Sequence, residues 1–121
     1  MPRILLVEDD PQVLAMLRDT LIAEGYEVVS AGNGREAIEA YREIRADLVV
    51  TDIIMPEVDG VEAIHSLRRE FPDVKIIAIS GGSPHIAGEY LLGTADALGA
   101  VKTFGKPVDI HELIATIKEY I

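Results

Sequence analysis

The sequence predicts an α/β domain in which helices cover both faces of a five-stranded parallel sheet. Two observations lead to this fold class. Short apolar runs, most of them rich in Val and Ile, alternate with amphipathic stretches along the whole chain. Such runs are typical of strands that are buried on both faces, as in parallel sheets. Five βα units in succession then predict a doubly wound, three-layer domain with strand order 2-1-3-4-5.

The predicted strands are short apolar segments separated by polar residues, glycine or proline. They cover Ile4–Val7, Glu27–Ser30, Leu48–Thr51, Val74–Ile79 and Ala100–Phe104. In a parallel sheet their carboxyl ends all lie at one edge, and the ligand sites of doubly wound domains lie outside that edge.

Apolar residues recur at helical spacing between the strands and after the last one, which predicts five amphipathic helices. Asp10, Asn33 and Asp109 precede helical patterns and are expected to cap their N-termini, with Pro11 at the first helical position. Gly25 follows the first pattern, where a left-handed residue commonly ends a helix. The apolar stripes comprise Leu14, Leu17 and Leu21; Ile38 and Tyr41; Ile64, Leu67 and Phe71; Leu91, Ala95 and Leu98; and Leu113, Ile114, Ile117 and Ile121.

The composition is that of an ordinary globular domain, and we expect residues 1–121 to form a single one, with no room for an output domain. Hydrophobic residues make up 49% and charged residues 26% of the 121 residues. Cysteine is absent, which excludes disulfides, thiolate nucleophiles and Cys-based zinc sites. The net charge of −10 argues against direct binding to nucleic acid or anionic membranes. Without a secretory signal or a membrane-spanning run, a cytoplasmic location is expected.

Acidic residues stand at the ends of two predicted strands. Glu8 and Asp9 follow the first strand, and Asp52 follows the third. Because these strands are neighbours in the predicted order, their carboxylates are expected to meet at one point of the sheet edge. Crowded carboxylates repel each other unless a divalent cation neutralises them, and oxygen ligands favour Mg²⁺ over structural zinc. The sequence therefore predicts a metal site in which one Asp can act as a nucleophile, whereas Asp10 is assigned to helix capping.

Two further polar residues are expected at the same edge. Ser80 ends the fourth apolar run, and Lys106 follows the fifth. A hydroxyl and an ammonium group beside an acidic metal site are suited to phosphoryl transfer, because they can hold phosphoryl oxygens while a carboxylate attacks.

Five motifs, taken in order, resemble the receiver domain of bacterial two-component response regulators over essentially the whole chain. The resemblance implies a flavodoxin-like fold. A chemotaxis receiver protein is itself a standard example of the strand order above, so the topology is not independent of this resemblance. The motifs are Leu6-Val7-Glu8-Asp9-Asp10, Asp52-Ile53-Ile54-Met55-Pro56 with Gly60, Ile79-Ser80-Gly81, Gly99-Ala100 and Lys106-Pro107.

The resemblance implies a role for each matching site residue. Asp52 would accept a phosphoryl group from a phosphohistidine. Asp9 would bind Mg²⁺ directly, Glu8 would act mostly through water, and the backbone carbonyl of Ile54 would complete the protein ligands. Lys106 would pair with Asp52 and later with the phosphoryl oxygens.

Ser80 would move inward to hydrogen-bond the phosphoryl group. Many relatives couple this movement to an aromatic residue three positions before the lysine, but here that position is Thr103 and the aromatic residue is Phe104. Strand alternation is expected to point Phe104 to the other face of the sheet. The usual aromatic switch is therefore in doubt for this chain.

The implied function is a phosphorylation-controlled binding module that catalyses only its own phosphorylation and dephosphorylation, and is in that sense not an enzyme. A sensor histidine kinase or a histidine phosphotransfer protein would be one partner. Phosphorylation would change the surface of the fourth predicted helix and fifth strand, and so the affinity for a downstream protein target. A relay or phosphate sink is the alternative within the family, and a homodimer is compatible with either.

A small dinucleotide-binding domain is the alternative from another class. The run from Gly32 to Ala37 matches the glycine-rich fingerprint, follows a strand and has Asp52 twenty positions after Gly32. Its strand would lie at the sheet edge, however, away from the switch point. It would also leave the Glu8–Asp9 cluster and Lys106 without a role.

Overall fold

The structure is a computed structural model that describes residues 2–52, 60–80, 100–105 and 108–121. Its strands form one parallel sheet in the order 2-1-3-4-5, which confirms the predicted doubly wound fold. The strands are β1 (Arg3–Val7), β2 (Glu27–Ala31), β3 (Leu48–Asp52), β4 (Ile76–Ser80) and β5 (Lys102–Gly105).

Four helices lie within the described part of the chain, and the helix predicted around Leu91–Leu98 falls outside it. None of the four combines the length and the apolar character that crossing a bilayer requires. They are α1 (Pro11–Ala23), α2 (Gly34–Ile44), α3 (Gly60–Glu70) and α4 (Ile110–Tyr120).

The predicted helix caps are confirmed. Asp10, Asn33 and Asp109 have extended backbones, and each side chain accepts hydrogen bonds from amides of the first helical turn of α1, α2 and α4, respectively. Gly25 has a φ of 94° just after α1, a conformation that side chains other than glycine rarely adopt. Local sequence thus sets where these helices begin and where α1 ends.

Two apolar layers hold the helices on opposite faces of the sheet. Alternate residues of the central strands point to opposite faces, so each strand contributes to both layers. One layer joins the sheet to α2 and α3 through Tyr41, Ile64 and Leu67. The other joins it to α1 and α4 through Leu17, Leu21, Leu113 and Ile117. All five residues of β3 are buried, as expected for the middle of a doubly wound sheet.

Two predicted strand starts and one predicted helix residue need correction, whereas the other predicted strand boundaries agree with the structure to within one residue. Val74 is not the first residue of β4, because its amide closes a turn onto the carbonyl of Phe71 at 3.0 Å. Ala100 likewise precedes β5, which begins at Lys102. Ile121 was expected on the apolar stripe of the last helix, but it follows the end of α4 and is 41% exposed.

The ends of α2 and α3 are joined by an aromatic and charged contact. The rings of Tyr41 and Phe71 lie 4.8 Å apart, and the guanidinium of Arg45 lies 4.1 Å from the centre of the Phe71 ring. Arg42 donates two hydrogen bonds of 2.8 Å to the Glu70 carboxylate, which lower the pKa of Glu70. Burial raises the pKa of Tyr41. This contact lies away from the acidic cluster and serves packing.

Arg45 provides a test of the α2 terminus, because it adopts a left-handed conformation with φ 56° where glycine is more usual. Arg45→Gly removes backbone strain of about 1 kcal/mol but also loses a cation–π contact of similar size. Arg45→Ala loses the contact and keeps the strain. We expect the alanine variant to be less stable than the glycine variant by about 1 kcal/mol in urea unfolding. Equal stability of the two variants would contradict the left-handed assignment.

Candidate functional site

Three carboxylates meet at the carboxyl edge of the sheet, as the sequence predicts. One carboxylate oxygen from each of Glu8, Asp9 and Asp52 lies within 4.8 Å of the others. The pairing of Val7 with Thr51 explains this, because it brings the ends of β1 and β3 side by side. No other group of three or more such residues occurs in the described segments of the chain.

The cluster has a buried wall and an open side. Glu8 is 3% and Asp52 is 5% exposed, whereas Asp9 is exposed. Burial removes water that would otherwise screen the negative charges, so the carboxylates repel one another and attract a cation more strongly than they would in water. The exposed side gives a small ion or a phosphoryl donor a route from solvent.

Glu8 also forms hydrogen bonds with the turn that follows it. Its Oε2 accepts from the amide of Asp9 at 3.0 Å and from the amide of Asp10 at 3.4 Å. The amide of Glu8 donates to the carbonyl of Ala31 at 3.1 Å, which fixes the end of β1 against β2. These bonds were not foreseen from the sequence, because nothing in the residue order distinguishes a carboxylate that folds back from one that points outward.

Asp52 lies at the end of β3, the central strand of the sheet. It is the last residue of β3 and pairs with Ile79 of β4. The hydroxyl of Thr51, itself buried, donates to the carbonyl of Asp52 at 2.9 Å. Sheet pairing and this hydrogen bond hold the Asp52 backbone, as a group that must attack at a fixed angle requires. No sequence signal pointed to Thr51.

The remaining predicted site residues are placed only in part. Ser80 is the last residue of β4, and its Cα partner is Gly105 at the end of β5. Lys106 follows Gly105 in the chain but lies outside the described residues, as does Ile54. The backbone therefore brings Ser80 to the predicted edge, and the side-chain roles of Ser80 and Lys106 stay predictions.

Comparison with known proteins decides the family. The sequence model of one protein family, the response regulator receiver domain, matches residues 4–118 of this chain. The chain belongs to this family. It is thus a receiver domain of two-component signal transduction, the class of domain that accepts a phosphoryl group.

Individual relatives agree with this assignment. Chemotaxis protein CheY of Thermotoga maritima is 44% identical over 79 residues, which are 64% of this chain and 66% of that protein. Response regulator receiver protein CpdR of Brucella abortus is 36% identical over 121 residues, covering 100% of this chain and 98% of CpdR. The chain spans 48% of transcriptional regulatory protein PrrA of Mycobacterium tuberculosis, to which it is 38% identical.

A solved structure extends the comparison to the whole fold. The crystal structure of response regulator TrrA of Thermotoga maritima, in complex with Mg²⁺–BeF, superposes with a TM-score of 0.86 at 31% identity. The match covers 100% of both chains. The described part of the chain therefore has the fold of a solved receiver domain.

This receiver domain places its β5 aromatic residue in the core. Phe104 is 9% exposed and packs in the apolar layer with Leu113 and Ile117 of α4. The prediction that Phe104 does not take the position of the usual mobile aromatic residue is consistent with this packing. The side chain of Thr103 lies outside the part of the chain that the structure describes.

The glycine-rich loop before α2 is occupied by the domain's own side chains. The amide of Gly32 donates to Glu36 Oε1 at 3.1 Å, and the amide of Glu36 donates to Asn33 Oδ1 at 2.9 Å. This reciprocal capping occupies amides that a pyrophosphate would need. The loop also follows β2, an edge strand, so the dinucleotide-binding alternative finds no site here.

Proposed function

We propose that Asp52 is the phosphoryl acceptor of this receiver domain and that Glu8, Asp9 and Asp52 hold the Mg²⁺ that the reaction needs. The observation that carries this proposal is the convergence of their three carboxylate oxygens within 4.8 Å. The backbone carbonyl of Ile54 completes the proposed protein ligands. Oxygen ligands with two or more carboxylates suit Mg²⁺, which also keeps several waters and binds phosphate.

The Mg²⁺-bound state of TrrA supports the choice of cation, because that receiver was crystallised with Mg²⁺–BeF. When bound, Mg²⁺ neutralises charge on the transferred phosphoryl oxygens. The residues of this chain supply the geometry. Glu8 and Asp52 form the buried wall, and Asp9 lies on the exposed side.

Asp52 supplies the nucleophile. One carboxylate oxygen forms a bond to phosphorus while the bond between phosphorus and the histidine nitrogen of the donor breaks, and the imidazole keeps the electron pair. The product is an acyl phosphate on Asp52. Fixing the attacking oxygen beside the phosphorus is the main contribution of the β3 backbone, which is paired with β1 and β4.

Lys106 and Ser80 are proposed to hold the phosphoryl oxygens. The Cα pairing of Ser80 with Gly105 supports this, since it puts the two strand ends that carry the hydroxyl and the ammonium next to each other. A positive group and a hydroxyl donor at this position would stabilise the charge that develops during transfer. Ser80 also links phosphorylation to the segment that follows β4.

The proposed donor is a sensor histidine kinase or a histidine phosphotransfer protein, and the proposed recipient of the signal is a downstream protein. Phosphorylation adds nearly two negative charges at Asp52. We propose that this shifts the region of β5 and of the helix predicted around Leu91–Leu98 between two arrangements. The two arrangements would differ in their affinity for the downstream protein. Cytoplasmic location and homodimer formation stay predictions.

The proposal is tested by incubating the protein with acetyl phosphate and Mg²⁺ and measuring its intact mass. We expect the mass of one added phosphoryl group, removed by hydroxylamine as for an acyl phosphate. Asp52→Asn should give no adduct, because an amide is a poor nucleophile. Omitting Mg²⁺ or adding a chelator should also prevent the adduct.

Asp47→Asn is the matched control, because Asp47 directly precedes β3 and so lies at the end of the strand opposite to Asp52. Its Oδ2 accepts a hydrogen bond of 2.7 Å from the amide of Arg3. This variant should be phosphorylated normally. An adduct that persists in Asp52→Asn, or one that is stable to hydroxylamine, would show that another residue is modified.

A further inference from the structure

We propose that Asp10 is a positioning residue for the metal site. Its carboxylate caps α1 and thereby holds the turn that carries Glu8 and Asp9, and it does not itself bind the cation. The inference rests on the proposed function of the acidic cluster, and it assigns a distinct role to the third of three consecutive acidic residues.

The first step of the argument is the junction that Asp10 forms with α1. Its Oδ1 accepts from the amides of Gln12 at 2.9 Å and Val13 at 3.4 Å. Its carbonyl accepts from the amide of Leu14 at 2.9 Å. With φ −81° and ψ 113°, Asp10 has the extended backbone of a helix cap.

The second step is the connection from this junction to the metal site. The amides of Asp9 and Asp10 both point at Oε2 of Glu8, at 3.0 and 3.4 Å. Glu8 is held at its own amide by the carbonyl of Ala31. The turn is thus held by β2 at one end and by the α1 cap at the other. Asp9, which lies between these two attachments, carries a proposed cation ligand.

The third step is that the Asp10 side chain is directed elsewhere. Asp10 is not a member of the group of three carboxylates that the described residues bring together. Its Oδ1 is already the acceptor for two amides at the positive end of a helix. A carboxylate in this role affects the cation through the backbone that it orders.

Loss of the cap should therefore weaken cation binding. A freed turn would have to be ordered again each time the cation binds, and this loss of backbone entropy opposes binding. Residues that only orient metal ligands typically change metal affinity by roughly 10- to 100-fold when removed. We expect an effect at the lower end of this range, because Glu8 still holds the turn from the β2 side.

Two substitutions separate positioning from charge. Asp10→Asn keeps an oxygen acceptor at the cap and removes the negative charge, whereas Asp10→Ala removes both. Asn33→Ala is the matched control for helix capping, because Asn33 caps α2 at the same edge of the sheet but belongs to the β2 loop. It should cost similar stability without touching the Glu8 turn.

The experiment measures the dissociation constant for Mg²⁺ alone by NMR titration of the whole chain and its three variants. We expect Asp10→Ala to bind about tenfold more weakly. Asp10→Asn should lie within about threefold of the unaltered chain, and Asn33→Ala within about twofold, since neither releases the turn. Amide hydrogen exchange of the metal-free protein adds a second measurement. Protection of the Asp9 and Asp10 amides should fall in Asp10→Ala and be retained in Asp10→Asn.

Equal weakening by Asp10→Asn and Asp10→Ala would assign the effect to charge and overturn the proposal. Unchanged Mg²⁺ affinity in Asp10→Ala, or equal weakening by Asn33→Ala, would overturn it as well. Absence of Mg²⁺ binding by the unaltered chain would overturn both this inference and the proposed function. If the three variants bind Mg²⁺ as expected but the unaltered chain gains no adduct from acetyl phosphate, only the proposed function is overturned.

Discussion

Replacing Asp9 by Asn should remove about half or more of the stabilisation that Mg²⁺ gives the folded protein. A ligand that binds only the native state stabilises it by about 2.7 kcal/mol at a concentration of roughly 100 times its dissociation constant. If the affinity falls about tenfold or more, as loss of a charged ligand predicts, no more than about 1.4 kcal/mol remains. Urea unfolding with and without Mg²⁺ measures both values.

The same substitution should have the opposite effect without metal. Asp9 lies close to two buried carboxylates, so removing its charge relieves repulsion. Because Asp9 is exposed, water screens this repulsion, and we expect a gain of about 1 kcal/mol. If Asp9→Asn is more stable than the unaltered protein without Mg²⁺ and gains less stability when Mg²⁺ is added, the charge of Asp9 serves cation binding. The same charge then destabilises the metal-free fold.

Asp19→Asn is the control for the loss of one negative charge on the surface. Asp19 lies on α1, its side chain is 75% exposed, and it is outside the carboxylate cluster. This variant should keep the full response to Mg²⁺ and change metal-free stability by less than about 0.5 kcal/mol. If Asp9→Asn responded to Mg²⁺ as fully as Asp19→Asn does, Asp9 would not be a ligand.

The largest effect on the free energy of unfolding is expected from Ile117→Ala. Ile117 is 0% exposed and lies in the apolar layer between α4 and the sheet, together with Phe104 and Leu113. Removing its buried atoms loses their transfer free energy and leaves a cavity, at a total cost of about 2 to 5 kcal/mol. For a domain of this size that is a large part of the total stability.

Ile22→Ala makes the same chemical change on the surface of α1. Ile22 is 51% exposed, and alanine forms helices more readily than isoleucine. We expect a change of no more than about 0.5 kcal/mol in urea unfolding. Similar losses in the two variants would mean that α4 does not pack on the sheet as described.

Much of the fold followed from local patterns because the physics that sets it is local. Buried strands require apolar runs, and helix starts require side-chain acceptors, so the strands and the caps at Asp10, Asn33 and Asp109 were predictable. Strand order followed from the succession of βα units. The meeting of Glu8 with Asp52 followed from topology alone, since parallel neighbours must end at the same edge.

Other features depended on tertiary contacts that residue order does not encode. Arg45 adopts a backbone conformation that favours glycine. Its packing on Phe71 explains why an arginine is found there, and this contact exists only when α2 and α3 lie side by side. The fold-back of Glu8 onto the Asp9 and Asp10 amides depends on the torsion angles of one turn. Val74 has a strand-forming residue type, yet its amide is used by a turn.

The most direct measurement is a crystal structure of the protein grown with Mn²⁺, a cation of similar ligand preference that can be located by anomalous scattering. We predict one strong anomalous peak at the carboxyl edge of the sheet, within bonding distance of Asp9 and Asp52 and close to Glu8. At a Mn²⁺ concentration near the dissociation constant of the unaltered protein, the peak should be much weaker in crystals of Asp9→Asn. A peak elsewhere, or carboxylates that point away from an empty site at saturating Mn²⁺, would contradict the cation-assisted phosphoryl transfer proposed here.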